Sequence, residues 1–401
     1  MADPAPLPAL RPVRPGINRL VSAFSESGLE TPSFVLDESQ FHHNGRILQQ
    51  VQERTGCKIL LAQKAFSSWC VYPVLRQYLV GTAASGLYEA RLGREEFGGE
   101  VHVFCPAFKP AEMDSLVGIA DHLIFNSLHQ WQSFREQVRK STSPVSPGLR
   151  INPEYSSSPA ELYDPCACGS RFGILARQLE GADLEGIEGL HFHTLCEQNS
   201  DALESTLEQV YAKFDHWLKH MRWLNFGGGH LITAPHYDVE RLIRCIQETQ
   251  RRYPHLQIYL EPGEAVAWDA GVLIGTVIDL VENGMEIAVL DLSATAHMPD
   301  VLEMPYRPAI LGGGEPGEKA HTYRLGGPTC LSGDVIGDYS FDKPLQRGNR
   351  LVFLDMAYYT IVKTTMFNGV PHPSLTLVEE SGAVRIVREY TYEDYRNRMG
   401  A

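Results

Sequence analysis

At 401 residues the chain is too long for one ordinary domain and has room for two sizeable cores. Hydrophobic residues make up 43% and charged residues 21%, an ordinary globular balance. The formal charge of −14 argues against nucleic acid as a partner, because phosphate binding calls for clustered Lys and Arg. An acidic surface suits a cationic substrate, and it suits many other proteins equally well. Eight cysteines scattered over this length do not read as a disulfide framework, and Cys166 and Cys168 lack a second pair at zinc-ribbon spacing. The proline-rich start has no continuous apolar core of a signal peptide, and no apolar run is long enough to span a bilayer. A reducing cytoplasm with no membrane partner is the expectation.

In chain order, residues 1–30 read as a flexible N-terminal arm without clear periodicity, and residues 31–37 as a strand added to a later β-domain. From Lys58 short apolar runs recur, most of them followed by an amphipathic stretch. The runs are Lys58–Lys64, Gly81–Ser85, Glu100–Pro106, His122–Ser127, Gly148–Pro153, Gly189–Cys196, Arg222–Gly229 and Gln257–Gly263. Asp201–His220 and Val239–Arg252 carry the apolar stripe of covering helices. Eight such units predict an α/β fold, a (β/α)8 TIM barrel over residues 38–268, with the irregular stretch Glu154–Glu188 as its least regular crossover. After Gly263 the pattern turns to β-rich runs joined by Asn283-Gly284, a strong hairpin signal. Residues 269–401 are therefore expected to form a C-terminal all-β domain, a sandwich or barrel.

The unusual residues fall where barrel strands end, the place where this fold keeps its reactive groups. Lys64 closes the first strand. Burial there would disfavour its charged form and leave a nucleophilic amine, whereas a plain solvent-capping lysine would look the same in sequence. His191 and His193 share one side of strand six, with Cys196 just beyond. They fit a cofactor-stacking pair, a metal site or a satisfied core histidine. Gly227, Gly228 and Gly229 end strand seven, where backbone amides can approach a phosphate; Gly312-Gly313-Gly314 reads as a turn. Glu261 ends strand eight. Beside a pyridine nitrogen it would favour the protonated ring, a better electron sink, and otherwise it is an acid satisfied by its neighbours.

The segments Cys57–Lys64, Gly189–Asp201, Asn225–His230, Tyr259–Ala265, His297–Tyr306 and Gly326–Tyr339, in that order, resemble the fold-type III pyridoxal-phosphate decarboxylases. This alanine racemase-like group includes the ornithine, arginine and diaminopimelate enzymes, and within it the likeness is to the carboxynorspermidine (carboxyspermidine) branch of polyamine biosynthesis. It runs from about Thr31 to Pro371. The resemblance implies pyridoxal 5'-phosphate as cofactor, Lys64 as its Schiff-base lysine, His193 stacked on its ring, Gly227–Gly229 and Tyr359 at its phosphate and Glu261 at its pyridine nitrogen. It further implies that Cys330 and Asp334 reach into a neighbouring subunit's site, hence a homodimer with shared active sites. Cys330 would return the proton to the substrate carbon, and Asp300, Glu303 and Asp334 would bind the distal ammonium groups of a cationic amino-acid substrate. Two positions depart from the ornithine-type pattern. Glu264 stands where those enzymes place an arginine to the phosphate, and Ala83 where they have an aspartate.

The expected activity is therefore decarboxylation of carboxynorspermidine or carboxyspermidine to norspermidine or spermidine plus CO2, with no metal. Rivals are a diaminopimelate- or other basic amino-acid decarboxylase or racemase of the same fold. From a different class comes a metal-dependent barrel hydrolase using His191, His193 and Cys196.

Overall fold

The computed structural model describes residues 14, 16–157, 164–304 and 306–400. They form two compact units, one over Phe41–Trp268 and one from the described residues of Met1–Gln40 and Asp269–Ala401. The first strand, β1 (Ser33–Asp37), belongs to the second unit.

In the unit 41–268 the strands are β2 (Lys58–Ala62), β3 (Gly81–Ala84), β4 (Glu100–Phe104), β5 (His122–Phe125), β6 (Ser146–Asn152), the two-residue β7 (Ile174–Leu175), β8 (Gly189–His191), β9 (Trp223–Asn225) and β10 (Gln257–Leu260). Every pairing is parallel. The order β5-β4-β3-β2-β10-β9-β8-β6 closes through a β5–β6 pairing, and β7 adds to β6 outside the ring. The expected eight-stranded barrel is what the chain builds. Its strands are apolar runs because they are covered on both faces. The helix Ser200–Leu218 turns Leu203, Leu207, Val210, Phe214 and Leu218 inward, and Asp238 starts Val239–Arg252 by accepting from the Arg241 amide at 2.9 Å. The crossover expected to be least regular holds only β7 and the short helix Ala176–Leu179 among its described residues.

The second unit is mostly sheet. Its strands are β1, β11 (Gly271–Glu282), β12 (Glu286–Leu290), β13 (His321–Gly326), β14 (Val335–Phe341), β15 (Arg350–Leu354), β16 (Ser374–Val378) and β17 (Val384–Arg388). They run in the order β14-β13-β12-β11-β1-β16-β17, with β15 also on β11. Two pairings, β1–β16 and β12–β13, are parallel, and short helices interrupt the strands, so the unit is less purely β than expected. The Asn283-Gly284 hairpin forms as read, joining β11 to β12 through Glu282 and Glu286 with Gly284 at φ 69°. Leu273, Val277, Leu290, Leu325, Ile336 and Phe353 are central in its core.

One expectation needs correction. The segment assigned to a flexible arm contains a helix, Ile17–Glu26, whose Ile17, Leu20 and Phe24 pack with Val35, Val272, Ile274, Val352 and Val378. The spacing i, i+3, i+7 is a helical stripe that the preceding prolines obscured. Residues 1–13 and 15 of that arm lie outside the described residues.

The N-terminal end of the barrel is closed by a polar aromatic plug. Trp223 lies across two neighbouring strands that carry glycine, and a Cβ at Gly189 would come within 1.9 Å of its ring and one at Gly148 within 2.2 Å. Around it the His102 and His122 rings stack with centroids 3.8 Å apart, and His122 also meets Tyr259 at 5.3 Å. Glu100 takes Lys58 at 2.5 Å and His102 at 3.2 Å. Burial, followed by the neighbouring His102, pushes the His122 imidazole down to about 2. A group with a depressed folded value gives its full stability above its unfolded value, about 6.5, and loses it as pH falls toward the folded one. At pH 4.5 this side chain is expected to cost the fold roughly 2–3 kcal/mol relative to pH 7. His122→Phe, which keeps a ring without a titrating nitrogen, should narrow the gap between urea midpoints at the two pH values. An unchanged gap would show that the plug does not govern acid lability.

Candidate active site

Lys64 follows β2 at the C-terminal mouth of the barrel, the opposite end from the plug. Its side chain is reached by solvent in the isolated chain, yet protein surrounds it densely. Burial, then the nearby Arg150 charge, lowers its amine, while Glu261, Cys196 and Glu89 pull the other way. The net direction is toward the neutral, nucleophilic form.

Glu261, just beyond β10, is the best-held acid of the mouth. His191 Nε2 lies 3.2 Å from its Oε2, and Asn225 Nδ2 donates to its Oε1 at 2.7 Å. Burial alone would raise this carboxyl, but the His191 ring beside it and the hydrogen bonds from His191 and Asn225 outweigh it and hold the group at about 2, while burial lowers the His191 imidazole itself. Glu261 is therefore ionised throughout the neutral range. Asn225 also accepts the Gly227 amide at 2.8 Å, so one side chain joins the acid to the glycine loop. Among the described residues His191 Nδ1 is buried without a hydrogen-bond partner, an open polar valence inside the mouth.

His193 keeps its imidazole neutral. Burial first, then the Lys64 and Arg150 charges, lowers it well below the usual histidine range. Its Nδ1 accepts the Gly228 amide at 2.9 Å, which places the proton on Nε2, 3.5 Å from Lys64 Nζ. The glycines here are steric necessities. A Cβ at Gly227 (φ 72°) would stand 2.3 Å from the Phe192 carbonyl oxygen, and one at Gly229 (φ 82°) 2.0 Å from that of Leu195. The amides of Gly227 and Gly228 donate within the site, to Asn225 and His193, so the loop is braced.

Two participants were given no role by sequence reasoning. Arg150, on β6, is sandwiched between the Phe104 and Phe172 rings at 4.5 and 4.4 Å and donates to the His193 carbonyl at 3.1 Å. Burial lowers even its guanidinium to about 10. A lone arginine within an apolar strand was the available signal. Asn225 had been quoted only as part of a motif.

The remaining expected residues lie in the sheet unit. Cys330 is exposed on the turn between β13 and β14. Tyr359 opens the helix Tyr359–Val362 and meets the Tyr358 ring edge-on at 6.1 Å. Asp300 and Glu303, at the ends of one short helix, both pair with Lys363, which gives these acids an internal cation that the sequence had not suggested. Asp334 is held by internal hydrogen bonds that the sequence had not suggested. Its carboxylate, 4% exposed, accepts from Ser293 Oγ at 3.0 and 2.9 Å, from the Thr295 amide at 3.1 Å, and from Thr329 through its amide at 3.3 Å and its hydroxyl at 2.6 Å.

The hydrolase alternative finds no support in this geometry. His191 Nε2 and His193 Nδ1 are engaged with Glu261 and Gly228, and burial pushes the Cys196 thiol up to about 11, away from the thiolate a metal prefers. The metal-capable group among the described residues is Glu100, His102 and His122, in the plug at the other end. The mouth fits pyridoxal phosphate instead. It offers an amine biased toward neutrality, an ionised acid, a neutral histidine and a glycine loop that a Cβ would fill.

A family model described as the pyridoxal-dependent decarboxylase, C-terminal sheet domain, matches residues 33–357. The chain is 48% identical over 375 residues to carboxyaminopropylagmatine decarboxylase of Synechocystis, covering 93% of this chain and 96% of that protein. It is 43% identical to carboxynorspermidine/carboxyspermidine decarboxylase of Campylobacter jejuni, covering 92% and 98%. The crystal structure of the Campylobacter jejuni carboxynorspermidine decarboxylase, complexed with norspermidine, superimposes with a TM-score of 0.85 at 41% identity, over 92% of this chain and 100% of that one. With a family match across most of its length, near-complete relatives and a mouth that fits the cofactor, the chain belongs to the pyridoxal-dependent decarboxylases.

Proposed function

We propose that the substrate is a carboxylated polyamine, carboxynorspermidine or carboxyspermidine, which loses CO2 from its amino-acid end to give norspermidine or spermidine. The ionised Glu261 beside the lowered Lys64 amine carries the chemical part of this reading. The 43% identical Campylobacter relative and the solved enzyme with norspermidine support the substrate class. A second reading has its own support. The 48% identical Synechocystis relative acts, by name, on carboxyaminopropylagmatine, whose agmatine end is a guanidinium rather than an ammonium.

Lys64 would hold the cofactor's aldehyde, Gly227–Gly229 and Tyr359 its phosphate, Glu261 its ring nitrogen and His193 the face of its ring. When bound, the cofactor supplies an electron sink for the carbon that loses its carboxylate. The residues do the rest. Glu261 stays anionic and keeps the ring nitrogen protonated, and neutral His193 adds no competing charge. The Cα–CO2 bond breaks with the electron pair left toward Cα, and the Cys330 thiol gives Cα a proton and is itself reprotonated from water. Asp300 and Glu303 share their charge between Lys363 and the distal cation of the substrate. Cys330 comes from a second copy of the chain, a reading supported by exposed Leu331 and Phe367 in the turn that holds it and in the one that braces it, at 43% and 42%. The homodimer works in the cytoplasm, in keeping with eight free thiols, and no described helix is long and apolar enough to cross a membrane.

Lys64→Ala is expected to lose both the visible absorption of lysine-bound cofactor and CO2 release, and survival of both would remove the mechanism. Glu261→Gln should retain cofactor while kcat falls about 100-fold, the size expected from losing two pKa units of bias. Substrate choice is decided by CO2 release from carboxynorspermidine, carboxyspermidine and carboxyaminopropylagmatine, with diaminopimelate and ornithine as controls. A clear preference for the third transfers the assignment to the second reading, and turnover of the controls alone defeats both.

A further inference from the structure

The Cys330 thiol stands on an exposed turn, where a proton donor needs a fixed position. The turn is braced from inside by Asp334, whose carboxylate accepts the Thr329 hydroxyl and amide, and the loop closes on itself through Gly327 N to Asp334 O at 2.9 Å. That bracing stops one residue short. The amide of Cys330 itself is taken by a side chain 38 residues away, Asn368 Oδ1, at 2.8 Å.

Asn368 occupies the left-handed region at φ 56°, a conformation Asn, Asp and Gly tolerate better than other residues. Its turn is anchored by Met366, 2% exposed, and by Gly369 N to Met366 O at 3.0 Å. Just before it, Thr365 N donates to Ala296 O at 2.8 Å. The Ala296 amide donates to Ser293 Oγ at 3.0 Å, and Ser293 Oγ donates to Asp334. Cys330, Thr329, Asp334, Ser293, Ala296, Thr365 and Asn368 thus form a closed circuit with its two ends meeting at the cysteine.

We infer that Asn368 is the positioning residue of Cys330. Its side-chain oxygen completes the hydrogen-bonded circuit that fixes the thiol in one orientation, so that the proton reaches a single face of the substrate carbon. The inference rests on the reading of Cys330 as proton donor. The bond formed is C–H at Cα and the bond broken is S–H, with water restoring the thiol.

The test uses holoenzyme. Asn368→Gly removes the acceptor without straining the left-handed backbone, and Asn368→Asp keeps both the oxygen and the conformation. In the glycine variant, iodoacetamide alkylation of Cys330, followed by peptide mass spectrometry, should quicken at least about threefold as the turn loosens, and kcat should fall about tenfold, the size of one lost hydrogen bond. Turnover in D2O should give product with mixed configuration at the deuterated carbon, where the natural enzyme gives one. The aspartate variant should keep the natural alkylation rate and the single configuration. Natural alkylation and configuration in the glycine variant, or equal damage in both variants, overturns the inference. Cys330→Ser separates the two claims. If it keeps natural kcat and configuration, the donor reading fails, whereas a normal glycine variant beside a damaged serine variant sinks only the role of Asn368.

Discussion

The chemistry of the barrel mouth depends on keeping one carboxylate charged where burial would neutralise it. Glu261 is 8% exposed, and taking such a group out of water costs several kcal/mol unless its oxygens are satisfied. His191 and Asn225 take one oxygen each, and their contribution exceeds the burial penalty, which is why the group stays low at about 2. Were the penalty to win, the acid would be neutral and the mouth would lose its fixed negative charge. The same Asn225 bonds Gly227, and the next amide bonds His193. Acid, glycine loop and His193 are therefore one connected network, in which the position of each part sets that of the next.

A second constraint concerns the lysine. A nucleophilic amine must be neutral, yet an ionised acid nearby favours the ammonium form. The protein packed around the amine tips this contest toward the neutral form, solvent-reached though the side chain is, and Arg150 adds a fixed positive charge nearby. Arg150 is held by two aromatic faces and a carbonyl. Its charge therefore remains free to act on Lys64 and His193, both of which it lowers. An arginine here does what a lysine could not, because a lysine so buried would surrender its own proton.

Much of this was readable in advance, for a physical reason. Barrel strands buried on both faces become apolar runs, and the mouth residues stand out as polar ends to those runs. Lys64, His193, Glu261 and the three glycines were visible in that way, and so was the Asn283-Gly284 hairpin, because a tight turn leaves a local signature. The helix Ile17–Glu26 was hidden, since its stripe covers only three core residues next to a proline-rich stretch. Arg150 and Asn225 were hidden because their importance lies in partners distant in sequence. The bonds of Asp334 were hidden for the same reason, since Ser293 and Thr295 lie far from it in sequence.

The two units place their reactive groups by different means. The barrel unit presents its groups from the ends of closed, fully paired strands, where the backbone is already immobile and hydrogen bonds serve mainly to set charge. The sheet unit presents Cys330 from an exposed turn, where no ladder immobilises the backbone and hydrogen bonds must supply position instead. Asp334 fits that demand. Four donor groups converge on it, and its charge strengthens each bond that holds the turn. Asp300 and Glu303 follow the opposite logic. They share one lysine between two carboxylates, so a net negative charge remains there. A substrate with a cationic tail would meet that residual charge, while an amino acid without one would gain nothing from it.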